Sequence, residues 1–409
     1  ERDRLTTAVS RVRKALKGMG LVKPVDLDVA FEWLLSAKEN NFAGLPTMGK
    51  KGDDVDALAR AKACERGKCP PPAIIGHRGK NTVVARAVWM FPFEWHICEG
   101  AFFIPLQEKF KRNVHVYAAS NAVARRALFN ELATSGIFHS KLAMDYSGFD
   151  GSVGTQVIGI AFGLLREHLL LDSRQEKLWN RVATYFATCP FVNQHGELVT
   201  GRRGGVPSGS MFTQMIDSIV NAIVIEYSLP VEQKKRYFVY GDDSVTYLQC
   251  GVRETENLLN DVKRRAGELG ICVNLKKTHV CEPTAVTTFL GHYDLRNGRP
   301  ADEVLARLIF PERPFKVDAE SLRTRVISYM AESDEVTGVL LPVYWILTKV
   351  AGRRDVRANV PSFARNGASW LTHAELGSLN PRNLPGLAQF LTNEDPTLVS
   401  AYLRIRAAV

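Results

Sequence analysis

At 409 residues, 45% hydrophobic and 23% charged, the chain is long and apolar enough to bury a sizeable core, which excludes an intrinsically disordered protein. Its 53 Lys and Arg outnumber its 43 Asp and Glu, giving a formal charge of +10. That excess points to a polyanionic partner, nucleic acid first, and no amphipathic basic helix stands out to favour an anionic membrane surface. The seven cysteines are odd in number and scattered, which argues for a reducing compartment and against a cysteine zinc site. The chain starts at Glu1 with no Met and no apolar signal region, as a fragment boundary would.

Residues 1 to 40 carry helical periodicity, and "NFAGLPTMGKKGDD" (Asn41 to Asp54) then brings the Gly, Pro and Lys of a loop. "GKCPPPAIIGHRGK" (Gly67 to Lys80) is a second punctuated run, followed by "NTVVARAVWMF", a β-rich segment carrying Arg86. Either basic run alone reads as a solvated linker. "SKLAMD" (Ser140 to Asp145) predicts a buried strand ending in an acid, and a mostly apolar helical tract covers Ser152 to Leu171. "RRGGVPSGSM" (Arg202 to Met211) is a Gly/Ser loop that runs into "FTQMIDSIVNAIVIEYS", which has helical length and pattern. "RYFVYGDDSVTYLQ" (Arg236 to Gln249) predicts a β-hairpin with Gly241, Asp242 and Asp243 at its tip. "ETENLLNDVKRRAGELG" (Glu254 to Gly270) predicts an amphipathic helix with Gly270 placed as a C-terminal cap, then a short strand "ICVNL" leading to Lys276 and Lys277. "VLLPVYWIL" (Val339 to Leu347) is too short to span a bilayer, contains a Pro, and reads as core. The last hundred residues read as a separate, mostly helical lobe.

A Gly-Asp pair at a hairpin tip is on its own an ordinary exposed turn. Nucleotidyl transfer offers a second reading, because it needs two divalent cations about 3.5 to 4 Å apart, held by carboxylates from separate strands. Asp145 ending one strand and Asp242 tipping a hairpin could converge in one sheet, and Mg²⁺ is the hard, oxygen-preferring ion for such a pair. Asp243 can add a ligand or an outer contact. Asp150 stands five positions past Asp145, where it can face a sugar or cap a helix. Thr213, Asp217 and Asn221 recur at steps of four, a polar stripe across an otherwise apolar helix that needs hydrogen-bond partners. An Asp and an Asn held together could read a ribose 2′-hydroxyl.

In that order, "DYSGFD", "GGVPSGSMFTQMIDSIVN" and "YGDDS" resemble motifs A, B and C of viral RNA-dependent RNA polymerases. The wording "GVPSGSMFTQ", with "NGRP" and "PERP" downstream, looks most like the partitivirus and picobirnavirus group of double-stranded RNA viruses. The resemblance implies an α+β right-hand polymerase fold of fingers, palm and thumb, with an antiparallel palm sheet packed on helices. It implies an N-terminal segment and fingers with motifs G and F over 1–138, palm motif A over 139–153 and a fingers insertion over 154–200. Palm motifs B to E would follow over 201–300 and a mostly helical thumb over 301–409.

Carried onto this chain, the resemblance makes Asp145, Asp242 and Asp243 the metal ligands and Lys277 the acid for the pyrophosphate leaving group, with Lys276 adjacent. Asp150 and Asn221 would select the 2′-hydroxyl, supported by Ser208, Gly209 and Thr213. Arg86, Arg78 and Lys80 would meet the triphosphate. The implied activity is template-directed transfer of a nucleoside monophosphate from an NTP to an RNA 3′-hydroxyl with two Mg²⁺ ions, Mn²⁺ being the alternative, in viral genome replication and transcription. The implied partners are RNA template, duplex RNA product, NTPs and a viral capsid protein, with no membrane insertion, in the host cytoplasm or inside the virion. Reverse transcription, untemplated nucleotide addition and a binding-only RNA or capsid-associated protein are the alternatives.

Overall fold

In the computed structural model, which describes residues 2–351 apart from 81–83, 114, 119–121, 297, 310–321, 323–325, 327, 328 and 331–333, the elements divide into two units. The first unit comprises Glu1–Gly79, Val83–Ser120 and Leu132–Ala285. It opens with helices α1 (Arg2–Leu16), α2 (Leu27–Lys38) and α3 (Ala57–Glu65), strands β1 (Ala73–Lys80) and β2 (Val84–Met90), and helix α4 (Phe93–Phe110). Helix α5 (Ala122–Thr134), of which all but the last three residues belong to the second unit, is followed in the first by β3 (Ser140–Met144), the short α6 (Phe149–Ser152), α7 (Thr155–Arg166) and α8 (Ser173–Thr188). Strands β4 (Phe191–Val192) and β5 (Leu198–Val199), helix α9 (Thr213–Ser228), strands β6 (Lys235–Tyr240) and β7 (Asp243–Leu248), helix α10 (Val252–Glu268) and β8 (His279–Cys281) complete it.

Alternation of Tyr, Phe, Val and Thr through 236–248 folds as the expected hairpin, and β6, β7, β3 and β8 form an antiparallel sheet in that order. Register is set by Ser140 opposite Leu248 and Met144 opposite Ser244. Helix α9 packs on β6, while α10 packs on β3 and β8. Every residue of α9 but Gln214 is buried, as an all-round apolar helix requires, and α1, α7 and α10 pack about it. The α+β class and the antiparallel sheet on helices are therefore as expected. A second sheet, β2–β1–β4–β5, pairs β1 with β4 in parallel and β4 with β5 antiparallel. Trp179, 2% exposed, centres an aromatic cluster with Phe102 at 5.3 Å, Phe162 at 5.4 Å and Phe212 at 5.6 Å between ring centroids.

Some local readings change. The Pro-rich run from Gly67 does not stay a loop: β1 begins at Ala73, because Ala73 and Ile74 have in Phe191 and Val192 a sheet partner that local punctuation cannot reveal. "ICVNL" makes only an isolated bridge, Tyr146 to Val273, and the strand falls later at His279–Cys281. Gly270 does close α10: its φ of +83° lets Ile271 N–H reach Ala266 O at 3.0 Å and its own N–H reach Gly267 O at 3.0 Å.

The second unit comprises Lys80–Thr82, Asn121–Glu131 and Val286–Val409. Its described elements include a two-stranded ribbon, β9 (Thr288–Phe289) with β10 (His292–Tyr293), and helices α11 (Ala301–Ile309) and α12 (Thr337–Ala351). "VLLPVYWIL" lies in α12 and is only partly core: Leu340 and Tyr344 are buried, whereas Val339, Val343 and Ile346 are exposed. "PERP" and residues 352–409 lie outside the described residues. All seven cysteines are free thiols, and among the described residues no helix is long and apolar enough to cross a membrane.

The aromatic cluster should dominate the stability of the first unit. Trp179→Ala is expected to cost about 3–5 kcal/mol, read as a drop in unfolding free energy on denaturant titration. A loss under about 1 kcal/mol would mean that the cluster collapses around the vacated space.

Candidate active site

The hairpin tip is built from behind by α9. Gly241 takes a φ of +62°, and a Cβ there would come within 2.7 Å of Gln214 Oε1. Its N–H donates to Ser218 Oγ at 2.8 Å, and that hydroxyl donates to Gln214 O at 2.6 Å. One turn on, the Asn221 amide donates to Gly241 O at 3.0 Å and Asp243 O at 3.3 Å, while its oxygen accepts from the Tyr146 hydroxyl at 2.8 Å. These bonds leave Asp242 and Asp243 exposed at the tip of a hairpin whose body is buried.

The neighbouring strand delivers the next acids. Continuing the β3–β7 register one step past Met144 and Ser244 sets half-buried Asp145 across from Asp243. Its N–H donates to Thr278 Oγ1 at 3.2 Å, and its carbonyl accepts from Asn274 N–H at 2.9 Å, so the 274–278 turn bearing exposed Lys276 and Lys277 lies alongside. Gly148, at φ +62°, precedes α6, so Asp150 stands in the first turn of that helix, exposed, and not at its cap.

Loop 202–212 is gripped on every side. Gly205 N–H donates to Val153 O and Val206 N–H to Asp150 O, both at 2.7 Å, so the loop's entry is tied to the turn that carries Asp150. Gly204 has a φ of +146° and packs so that a Cβ would sit 2.8 Å from Val153 O. The Arg202 guanidinium stacks over the Trp89 ring at 4.8 Å and donates to Gly205 O at 2.7 Å, to Gly204 O and to Phe186 O. Exposed Ser208 accepts from Trp89 N–H at 3.2 Å, and a Cβ on Gly209 would fall 2.0 Å from Trp89 O. Thr213 closes the loop, its hydroxyl bridging Pro207 O and Ser210 O at 2.7 and 2.9 Å.

The polar stripe of α9 divides its work. Asn221, expected to face a sugar, is 0% exposed and spends its amide and its oxygen on the tip and on Tyr146. Asp217, one turn earlier, is 3% exposed with Oδ1 unpartnered, and burial first, then the charges of Asp150 and Asp242, push its carboxyl well above the ordinary range. Two further groups went unseen in the sequence. From α4, fully buried Glu99 accepts from Ser210 Oγ at 2.7 Å and Met211 N–H at 3.0 Å, and His96 Nε2–H donates to Gly209 O at 2.8 Å. The one signal for them was a pair of acids and a His inside "FEWHICEG", a helix with no polar face.

Arg78 and Lys80 have their backbones in β1 and Arg86 in β2; their side chains lie outside the described residues. Among the described residues no three His, Cys, Asp or Glu side chains gather tightly enough to enclose a metal. Exposed Asp242 and Asp243, half-buried Asp145 set across from the tip, and an unpartnered buried oxygen of Asp217 suit an ion that keeps several waters and takes only one or two protein carboxylates. That donor set fits Mg²⁺ and not a closed protein cage.

Residues 84–303, more than half of the 409-residue chain, match the family model described as viral RNA-dependent RNA polymerase. The chain is 27% identical over 228 residues to an RNA-directed RNA polymerase of Cryptosporidium parvum virus 1 (strain KSU-1), covering 54% of this chain and 41% of that one. It is 30% identical over 115 residues, 25% of its length, to 5% of an RNA1 polyprotein of Tomato black ring virus (strain MJ). It thus spans less than half of the curated relatives it matches. Crystal structures of the RNA-dependent RNA polymerase of a human picobirnavirus and of its insertion-loop deletion mutant superpose with TM-scores of 0.67 and 0.70 at 20% and 21% identity. These cover 89% and 95% of this chain and 73% and 78% of theirs, which establishes a common fold.

Glu99 makes this site sensitive to pH. Burial pushes its carboxyl up to about 7, against the pull of Met211 N–H, Ser210, Lys51 and Lys38. Because the unfolded chain ionises first, this raised group costs stability progressively as pH climbs from the ordinary carboxyl range to about 7. Glu99→Gln should therefore gain on the parent by up to about 3 kcal/mol between those limits, read by denaturant titration at each pH. A pH-independent difference would show that Glu99 ionises as freely folded as unfolded.

Proposed function

Because the chain belongs to the viral RNA-dependent RNA polymerase family, we propose that it copies an RNA template by successive nucleotidyl transfer. The observation that carries the reading is the β3–β7 register, which sets Asp145 beside an exposed tip bearing Asp242 and Asp243. In the reaction the terminal 3′-hydroxyl oxygen of the growing RNA bonds to the α-phosphorus of an NTP, its proton is lost, and the bond from that phosphorus to pyrophosphate breaks. Asp145 and Asp242 would hold Mg²⁺, with Asp243 as outer support; when bound, the ions lower the pKa of the attacking hydroxyl and stabilise charge on the transferring phosphoryl group.

Lys277, on the turn hydrogen-bonded to Asp145, would return a proton to the departing pyrophosphate. Asp150 and Asp217 would face the ribose, with Asn221 as the brace behind them. A carboxyl kept protonated can donate to a 2′-hydroxyl, and the unpartnered Oδ1 of Asp217 supports that role. Arg78, Lys80 and Arg86 would meet the triphosphate. The domains of this reading would be an N-terminal segment and fingers over 1–138, a fingers insertion over 154–200, palm over 139–153 and 201–300, and thumb over 301–409. RNA template, duplex product and NTPs are the partners of this reading, in the host cytoplasm or a virion built of capsid protein, and the charge of +10 suits the phosphates of template and product.

Labelled NTP incorporation on single-stranded RNA of defined sequence with Mg²⁺ tests the reading directly. The parent should make complementary product, and Asp242→Ala should lose roughly 100-fold or more, the scale of removing one preorganised electrostatic group. RNA binding without synthesis by the parent would overturn the reading in favour of a binding protein. Product independent of template sequence would favour untemplated addition, and equal use of dNTPs would favour reverse transcription.

The two residues of the α9 stripe should separate. Asp217→Val is expected to cut the preference for NTP over dNTP by at least roughly tenfold, while Asp217→Asn, which keeps a donor, retains most of it. Asn221→Ala should instead cost about 1–3 kcal/mol of stability and keep the preference in whatever activity survives. The reverse pattern would return sugar reading to Asn221.

A further inference from the structure

Glu99 is a fully buried carboxylate on a helix whose first three turns are almost entirely buried, an expensive placement unless the charge or its hydrogen bonds are needed there. Its two oxygens are spent on consecutive residues of one loop, Ser210 through the hydroxyl at 2.7 Å and Met211 through the backbone N–H at 3.0 Å. His96, on the same helix, takes the carbonyl of the residue before, Gly209, at 2.8 Å. From the opposite side, Trp89 bonds Ser208 and leaves no room for a side chain on Gly209. Residues 208, 209, 210 and 211 are thus each fixed from outside the loop. A fold that needed only to fill space could do so with a leucine, but a leucine would strand the Met211 N–H and the Ser210 hydroxyl.

The loop is not remote from the chemistry. Its first residues are bonded to the turn bearing Asp150, through Val206 N–H to Asp150 O at 2.7 Å, and its last residues begin α9, the helix that carries Asp217. Displacement of 208–211 would therefore move Ser208, Asp150 and the start of α9 together. The groups acting on Glu99 include Lys51 from the segment before α3, Lys38 from α2, Tyr185 of α8 with Cys189 at its end, and the 210–211 segment itself.

We infer that Glu99 is a positioning residue of the nucleotide site, holding loop 207–212 so that Ser208 and Asp150 meet the sugar in one geometry and NTPs are preferred over dNTPs. The inference rests on the polymerase reading above and adds to it a residue that would not touch the substrate.

Glu99→Leu and Glu99→Gln, with Ser210→Ala as a milder change should the leucine variant fold poorly, form the test. On a defined RNA template, Glu99→Leu should raise the KM for NTP and lower the NTP-over-dNTP ratio of kcat/KM, each by roughly 10- to 100-fold, the scale of a misplaced reacting group. Ser210→Ala should move both in the same direction by less. Glu99→Gln should restore both, since its amide offers an acceptor to Met211 and a donor to Ser210. Hydrogen exchange at the Met211 amide should quicken in the leucine variant and stay slow in the glutamine variant. A leucine or alanine variant with parental KM and sugar ratio, losing only kcat or melting temperature, would overturn the inference and leave Glu99 a structural residue. Were the parent to make no complementary RNA, the polymerase reading would fall by itself. Met211 exchange would then decide the clamp alone, faster exchange in the leucine variant supporting it and unchanged exchange overturning it.

Discussion

Asn221 carries the joint on which the site depends. A single neutral amide, sealed from water, ties two backbone carbonyls of the hairpin tip to α9 and through Tyr146 to the segment that follows β3. Because a buried amide is tolerated only when its hydrogen bonds are made, the three elements are held in one arrangement or not at all. Ser218 adds a second strut at Gly241 from the same helix. The tip can therefore hold two like charges outward in a fixed direction without the backbone yielding to their repulsion.

Electrostatics follow from that joint. Asp217 of α9 lies within electrostatic reach of Asp150 and Asp242, and the β3–β7 register sets Asp145 across from Asp243. Were all five ionised with no cation present, their mutual repulsion would oppose the fold. The carboxyl of Asp217, deepest of them, is pushed toward its neutral form by burial and by Asp150 and Asp242, which lowers the charge the cleft must bear. Glu99 is treated in the same way by a different surrounding, 0% exposed in α4 and relieved by Lys51 and Lys38. The chain thus keeps exposed acids at the hairpin tip and pushes these two buried ones, Asp217 and Glu99, toward their neutral forms.

Much of this was legible in the sequence because it depends on short-range pattern. Period-two alternation on either side of Gly241 gave the hairpin, and a helical period gave α9 with its stripe at 213, 217 and 221. Spacing alone could not say which residue of that stripe holds the hairpin tip. Asp217 and Asn221 lie on one face of the helix, and only the position of the hairpin tip gives Asn221 its bonds to Gly241 and Asp243 and leaves Asp217 Oδ1 without a partner. Glu99 and His96 were hidden for a related reason: their partner loop lies about 110 positions away in sequence, and no local period reports it. The strand at Ala73 was masked by its Pro-rich approach, and "ICVNL" has strand composition but sits where the chain is already bonded by its backbone to 145–147.

The β3–β7 register has a further consequence for how such a chain can vary. Side chains alternate faces along a strand, so inserting or deleting one residue within 140–144 or 243–248 would turn every following side chain to the opposite face. Asp145 would then turn to the packed face that Met144 now occupies, and a core residue would take its place across from the hairpin tip. Connections outside the sheet carry no such parity, and segment 193–197, an exposed turn between β4 and β5, can lengthen or shorten without inverting anything. Length variation among relatives of this chain should therefore be sought in its connections, while the strands that frame the acids keep their count.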